Sequence, residues 1–249
     1  MPTSERDLLV DDPWAAIEAC FDAGWSDGLP VVPPTEALVS AVLDAGPWSA
    51  DEVLLIEPSR GLEVTAFNAA VNAVLAGCRP EYFPVVGAVL KAMSHPRFGL
   101  HAVLTSTGGA AVLIAVNGPV RDQIGMNAKE NLLGGGNRAN STIGRAVRLV
   151  ARNCLLAVPG LLDKSTQGWA GKISMCFAED EASSPWGGYH TLGRFPSRPV
   201  DGHDHGGRIR PQRPQSRVRR PGGSAHDLRR LDGSVRVLLL GPFPAGVCS

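Results

Sequence analysis

Residues 65–94 constrain this chain more than any other stretch, because they encode two apolar helices with a break between them. Thr65 is an N-cap for AFNAAVNAVLAGC, where Phe67, Ala70, Val71, Val74, Leu75 and Cys78 fall at the i, i+3, i+4, i+7 spacing of one buried face. Gly77-Cys78-Arg79-Pro80 stops that helix. Pro80 suits the first position of a second helix, EYFPVVGAVLKAMSH. The pattern predicts helices over 65–77 and 80–94. A hydrophobic content of 44% in 249 residues is enough to give them a core.

The break places Cys78 between one helix C-terminus and another helix N-terminus. Near an N-terminus a thiol pKa falls and the sulfur becomes nucleophilic. On an apolar face at a C-terminus the same residue is a small buried hydrophobe. The spacing fits both readings, and Cys78 is the one candidate catalytic residue.

The second informative stretch is Leu133–Leu149, LGGGNRANSTIGRAVRL. Three glycines lead into Asn137, Arg138 and Asn140. Asn140 is a good N-cap, and Ile143, Ala146, Val147, Val150 and Ala151 make one buried face of a helix over 140–154. Arg145, Arg148 and Arg152 share another face. A glycine-rich loop running into a helix N-terminus suits an anion or carboxylate. A flexible loop that only caps the helix is the competing reading. Gly134–Ala139 satisfies G-x-G-x-x-A, but no strand precedes it, and Asp163 follows Pro159-Gly160 rather than ending a strand, so a dinucleotide fingerprint is not expected. No G-K-[ST] follows the glycines, so no P-loop is present.

Elsewhere, Pro13 starts a short helix with Trp14, Ile17 and Phe21 on its apolar stripe, and Gly24 ends it. GWSDGLPVVPPT (24–35) holds too many prolines for a helix and reads as extended. It is either a rigid linker or a substrate-facing loop offering Trp25 and Asp27. Thr35 caps a helix striped by Leu38, Val39 and Val42. Val53–Glu57, His101–Thr105, Ala111–Val116 and Lys172–Phe177 read as strands. Asn117 and Arg121 follow a strand end, where binding loops of α/β proteins gather, and are candidate ligands for an anion. Phe98–Val120 carries no charge, but Thr105–Gly109 and Asn117–Pro119 break it into pieces too short to span a membrane.

Five cysteines, widely spaced and without C-x-x-C, give neither a disulfide framework nor a zinc ribbon. Reduced thiols and a cytoplasmic location are expected. The acidic N-terminus has no apolar run of the signal-peptide kind. The zero net charge is an average over unlike parts. Residues 194–236 hold 11 Arg, no Lys and 4 acidic residues, about +7, which leaves about −7 for the remainder. Arg, Pro and Gly without Lys is the composition of GC-rich DNA read out of frame. Back-translation one nucleotide on turns Pro199–Gly207 into an alternating, strand-like sequence. Residues 192–249 are therefore expected to be a disordered, out-of-frame tail rather than a nucleic-acid-binding arm, which would interleave Lys and aromatics. His203-Asp-His205 has no second ligand cluster, so no metal is expected.

Five blocks, GWSDGLPVVPPT, AGCRPEYFPVV, VNGPVR, RANSTIGRAVRL and SPWGGYH, together resemble a little-characterised bacterial family related to proteins associated with a thiol or selenocysteine domain of U/C-G-S-C type. The resemblance covers about residues 13–191, and no U/C-G-S-C motif occurs here. It implies an intracellular enzyme or enzyme subunit in thiol-dependent redox or organosulfur-type chemistry, with a thiol or selenoprotein partner. The block positions it points to are Trp25, Asp27, Cys78, Glu81, Asn117, Arg121, Asn137, Arg138, Asn140 and Arg145. The expectations are an α/β or α+β domain over 1–191 with a mixed sheet and about five helices, and a small anionic ligand. No cofactor is named, and neither nucleic acid nor membrane is an expected partner. A non-catalytic binding subunit is the alternative.

Overall fold

The computed structural model describes residues 12–185 and the strand 235–240. Helix α1 (Pro13–Asp22) starts where Asp12 accepts from the amides of Trp14 and Ala15. Helix α2 (Glu36–Asp44) starts where Thr35 accepts from Leu38 N. These side chains satisfy amides that the first helical turn leaves without partners. Strands β1 (Val53–Glu57) and β2 (Leu62–Thr65) form an antiparallel hairpin. Glu57 closes β1 fully buried, held by Arg60 at 2.8 Å, and Arg60 also donates to Leu155 O.

Helix α3 (Ala66–Ala76) begins with a reciprocal capping box between Thr65 and Asn68 and ends at Gly77, whose φ of 85° needs a residue without Cβ. A 3-10 turn (Pro80–Tyr82) then leads into α4 (Phe83–Met93). The expected second helix thus begins as 3-10. Trp48 explains a glycine inside α4: a Cβ on Gly87 would lie 2.2 Å from its ring. The same ring meets Phe83 edge-on at 5.8 Å.

Helix α5 (Leu100–Thr105) corrects the strand expected over His101–Thr105. Leu100 and Leu104, one helical turn apart, are the residues that face the core. A short uncharged run cannot be assigned to helix or strand by periodicity. Strand β3 (Ala111–Val116) is followed by the one-turn helix α6 (Val120–Gln123) and by α7 (Arg138–Asn153). The strand expected over Lys172–Phe177 shrinks to β4 (Cys176–Ala178), because Ala170–Lys172 forms a 3-10 turn.

β3 pairs in parallel with β4 (Ile114↔Cys176), so α7 lies in the crossover between them. Strand β5 (Val235–Leu240) pairs antiparallel on the other edge of β3, giving a mixed sheet in the order β4-β3-β5. This hexapeptide is a strand where an unstructured tail was expected. The remainder of 186–249, including the proposed frame change, His203 and His205, lies outside the described residues. Among the described residues there are seven α-helices rather than five, and none is long and apolar enough to cross a membrane.

The core sits between α3, α4 and α7. Leu75, Phe83, Leu90, Met93, Ile143 and Leu149 are all essentially fully buried there, and each contributes about 1.5–3 kcal/mol. Three residues placed on apolar stripes are on the outside instead: Trp14, Leu38 and Phe67.

Candidate functional site

The first turns of α7 form one wall of an open cleft of about 430 Å³. Ser141, Thr142 and Arg145 line that wall, and Leu132–Gly135 form the lip. Ala170, Ile173, Ser174 and Cys176 line it as well, together with Leu29 and Ala76. Leu29, Leu133 and Ile173 are exposed apolar residues, so the rim is hydrophobic while the α7 wall is polar.

Helix α7 is capped by Asn137, not by Asn140. Asn137 Oδ1 accepts from Asn140 N at 3.0 Å, and its Nδ2 donates to Gly125 O. Either asparagine is a good N-cap by type, and the chain enters the helix one turn earlier. Asn140 is buried and clamps the preceding loop instead. Its Oδ1 accepts from Asn127 N, and its Nδ2 donates to the carbonyls of Asn127 and Leu132. Those bonds use both ends of the amide within the protein.

The glycine run has a local structural reason. Asn131 folds back over it, donating to Gly135 O, and a Cβ on Gly134 would lie 2.1 Å from the Asn131 side chain. Gly136 adopts φ 118°.

Arg145 is held by Asp27. Its Nε donates to Oδ2 at 2.9 Å and its Nη2 to Oδ1 at 2.7 Å, a bidentate pair between residues 118 apart. Burial would raise the Asp27 carboxyl, but the hydrogen bonds and charge of Arg145 outweigh it and hold it below the usual carboxylate range. Asp27 and Arg145 therefore meet at the cleft, but largely satisfy each other. Trp25 is fixed through its backbone, accepting from Asn153 Nδ2 and donating to Cys20 O, and does not line the cleft.

Arg138 Nε donates to Gly77 O at 3.0 Å, which brings the start of α7 against the Cys78 break. Cys78 shares a hydrogen bond with Thr142 and feels the charges of Arg138 and Arg145. Even so, burial dominates and pushes its thiol up to about 12. Cys176 is driven up by burial and by the proximity of Cys78, and burial takes Cys154 to about 11. All three are protonated at neutral pH, the opposite of the lowered pKa that marks a nucleophilic cysteine. The two motifs named from sequence do meet, and the electrostatics of the meeting disfavour a thiolate.

Asn117 and Arg121 stand apart, at the C-terminal end of β3, and do not line the cleft. Asn117 is buried with its Oδ1 lacking a hydrogen bond among the described residues. Arg121 pairs with Asp122 and Glu181. Glu81 pairs with Arg79 on the surface. Sequence reasoning missed Ser141, Thr142, Ser174 and Cys176 as cleft residues. Their spacing gives no signal, because the cleft joins segments that only the β3–α7–β4 crossover brings together.

A second polar cluster lies further along α7. Asp163 accepts from Arg148 Nη2 at 2.7 Å, from Lys172 Nζ at 2.9 and 2.7 Å, and from Ser165 Oγ at 2.7 Å. Burial opposes its ionisation, yet the Lys172, Ser165 and Arg148 hydrogen bonds hold the carboxyl far below its ordinary value. Among the described residues no three His, Cys, Asp or Glu side chains gather as a metal site. The chain matches no protein-family model, no curated protein and no solved structure.

Proposed function

We propose that this chain binds a small anionic molecule in the α7 cleft, as the binding subunit of an enzyme whose reactive thiol lies on a partner. One observation carries the binding reading. Arg145, the Ser141–Thr142 turn and the Leu132–Gly135 loop converge on a single open cleft of about 430 Å³. That volume falls within the range of small-molecule sites, and the mix of an apolar rim with a few polar groups is usual for them. Asp27 offsets the formal charge of Arg145, so the ligand is held by hydrogen bonds and partial charges at the helix start as much as by a full positive charge.

The subunit form is favoured over a thiol enzyme complete in this chain by the burial of Cys78 and Cys176 in their protonated state. A second reading keeps Cys78 as the nucleophile. It is supported by its hydrogen bond with Thr142 and by the charges of Arg138 and Arg145, which favour the thiolate.

Calorimetric titration with acetate, phosphate and small thiol-bearing carboxylates tests the binding. Gly135 lines the cleft, has nothing within 4 Å of a built Cβ and needs no positive φ, so Gly135→Trp fills the site without straining the fold. At least one of these anions is expected to bind the natural chain and to fail with Gly135→Trp at unchanged melting temperature. Binding that survives the tryptophan, or no binding by any of these anions, refutes the proposal.

A further inference from the structure

Lys172 and Arg148 share a single carboxylate. Their side chains are only 13% and 19% exposed, and Asp163 is the one acidic group that either contacts among the described residues. The cluster therefore carries one uncompensated positive charge in a largely desolvated place, where a charge without a counter-charge is costly. Lys172 directs its ammonium to both Asp163 oxygens and to Ser165 Oγ, so its donors are spent inside the cluster. Arg148 is different. Only its Nη2 is bonded, to Asp163 Oδ2 and Ala157 O, leaving Nε and Nη1 without an acceptor among the described residues.

Both cations line a separate cavity of about 30 Å³ beside the cleft, walled by Val103, Leu104, Val112, Val147 and Ala151 with Ser174 at one end. That volume accommodates a small anion of halide size. Its apolar walls suit a large, weakly hydrated monovalent anion better than a strongly hydrated one. From the shared carboxylate, the free guanidinium donors and the cavity they border, we propose that this is a halide-binding site, with chloride as the natural occupant. Arg148 donates to the anion and Lys172 supplies the charge that makes the site net positive. The bound anion neutralises the cluster and ties α7 to the 171–175 segment, whose Ile173 and Ser174 also line the cleft.

The full chain is compared in sodium chloride, bromide, sulfate and gluconate at matched ionic strength, reading the melting temperature and the chloride-35 NMR line width. Chloride and bromide are expected to raise the melting temperature above gluconate, sulfate to fall short of them, and chloride to show protein-dependent line broadening. Two substitutions push in opposite directions. Lys172→Met leaves a balanced Arg148–Asp163 pair and is expected to weaken chloride binding by about tenfold or more. Asp163→Asn adds a second uncompensated charge and is expected to tighten it, though it lowers stability. Should Asp163→Asn fail to fold, the anion series and Lys172→Met still decide. Equal stability in chloride and gluconate, an effect equally strong with sulfate, or chloride binding undiminished in Lys172→Met overturns the proposal.

Discussion

The Asp27–Arg145 pair makes the sharpest prediction, because it joins the extended 24–35 segment to the middle of α7. Both side chains are little exposed, at 11% and 13%, and the geometry is bidentate. An exposed pair of this kind contributes about 0–1 kcal/mol, whereas removing one partner of a buried pair costs about 3–5 kcal/mol. The partial exposure places Asp27→Asn between these limits, at about 2–3 kcal/mol, since one carbonyl oxygen remains for Arg145 and for the amide of Leu29. A double-mutant cycle with Arg145→Met, followed by urea unfolding, isolates the pairwise term, expected at about 1.5–2.5 kcal/mol. The pH dependence supplies an independent check. Arg145 lowers the folded-state pKa of Asp27, so this stabilisation is complete above the ordinary carboxylate value of about 4 and disappears as the pH falls through the lower folded value. Asp27→Asn should therefore lose stability at pH 7, and the loss should shrink as the pH falls below the ordinary carboxylate range. A coupling energy below about 0.5 kcal/mol, together with an unchanged acid limb, would show an ordinary surface pair and refute the reasoning.

Two further predictions concern the core and its thiols. Gly87→Ala should destabilise the chain by about 1–3 kcal/mol, because the new methyl would meet the Trp48 ring, and Trp48→Leu should recover part of the loss; chemical denaturation of the two variants and their combination checks this. Cys78 should react with iodoacetamide far more slowly than a free thiol at pH 7, with the alkylation rate still climbing toward pH 12; rapid modification near neutrality would return it to the nucleophile role.

Much of the local structure was legible because its causes are local. Thr35 and Thr65 cap the helices they were expected to cap, and Gly77-Cys78-Arg79-Pro80 breaks the chain as its residue types require. Where two local solutions were equally good, the choice was not legible. Asn137 and Asn140 are both good caps, and the loop that needed Asn140 as a clamp decided between them. Leu100–Thr105 is a helix because two leucines one turn apart face the core, which is a tertiary fact. The candidate site was half legible for the same reason. Its charged residues were visible as residues, but not the pairings that occupy them. Arg145 read as an open anion ligand because Asp27 lies 118 positions away. Lys172 read only as the first residue of an expected strand, because nothing in the sequence announces Asp163 as its buried partner.

The ties around residues 24–29 give the cleft two unlike sides. Arg152 donates to Gly24 O, Asn153 to Trp25 O and Arg145 to Asp27 and Leu29 O, so this segment is fastened along α7 at four successive points. By contrast, among the described residues the hydrogen bonds of Gly134 and Gly135 run only to Asn131 within their own loop. Local opening of 24–29 should then cost more than opening of 133–136, a difference that hydrogen exchange in the two segments measures. The Leu29 side is thus the firmly anchored flank of the cleft and the glycine side the loosely tied one.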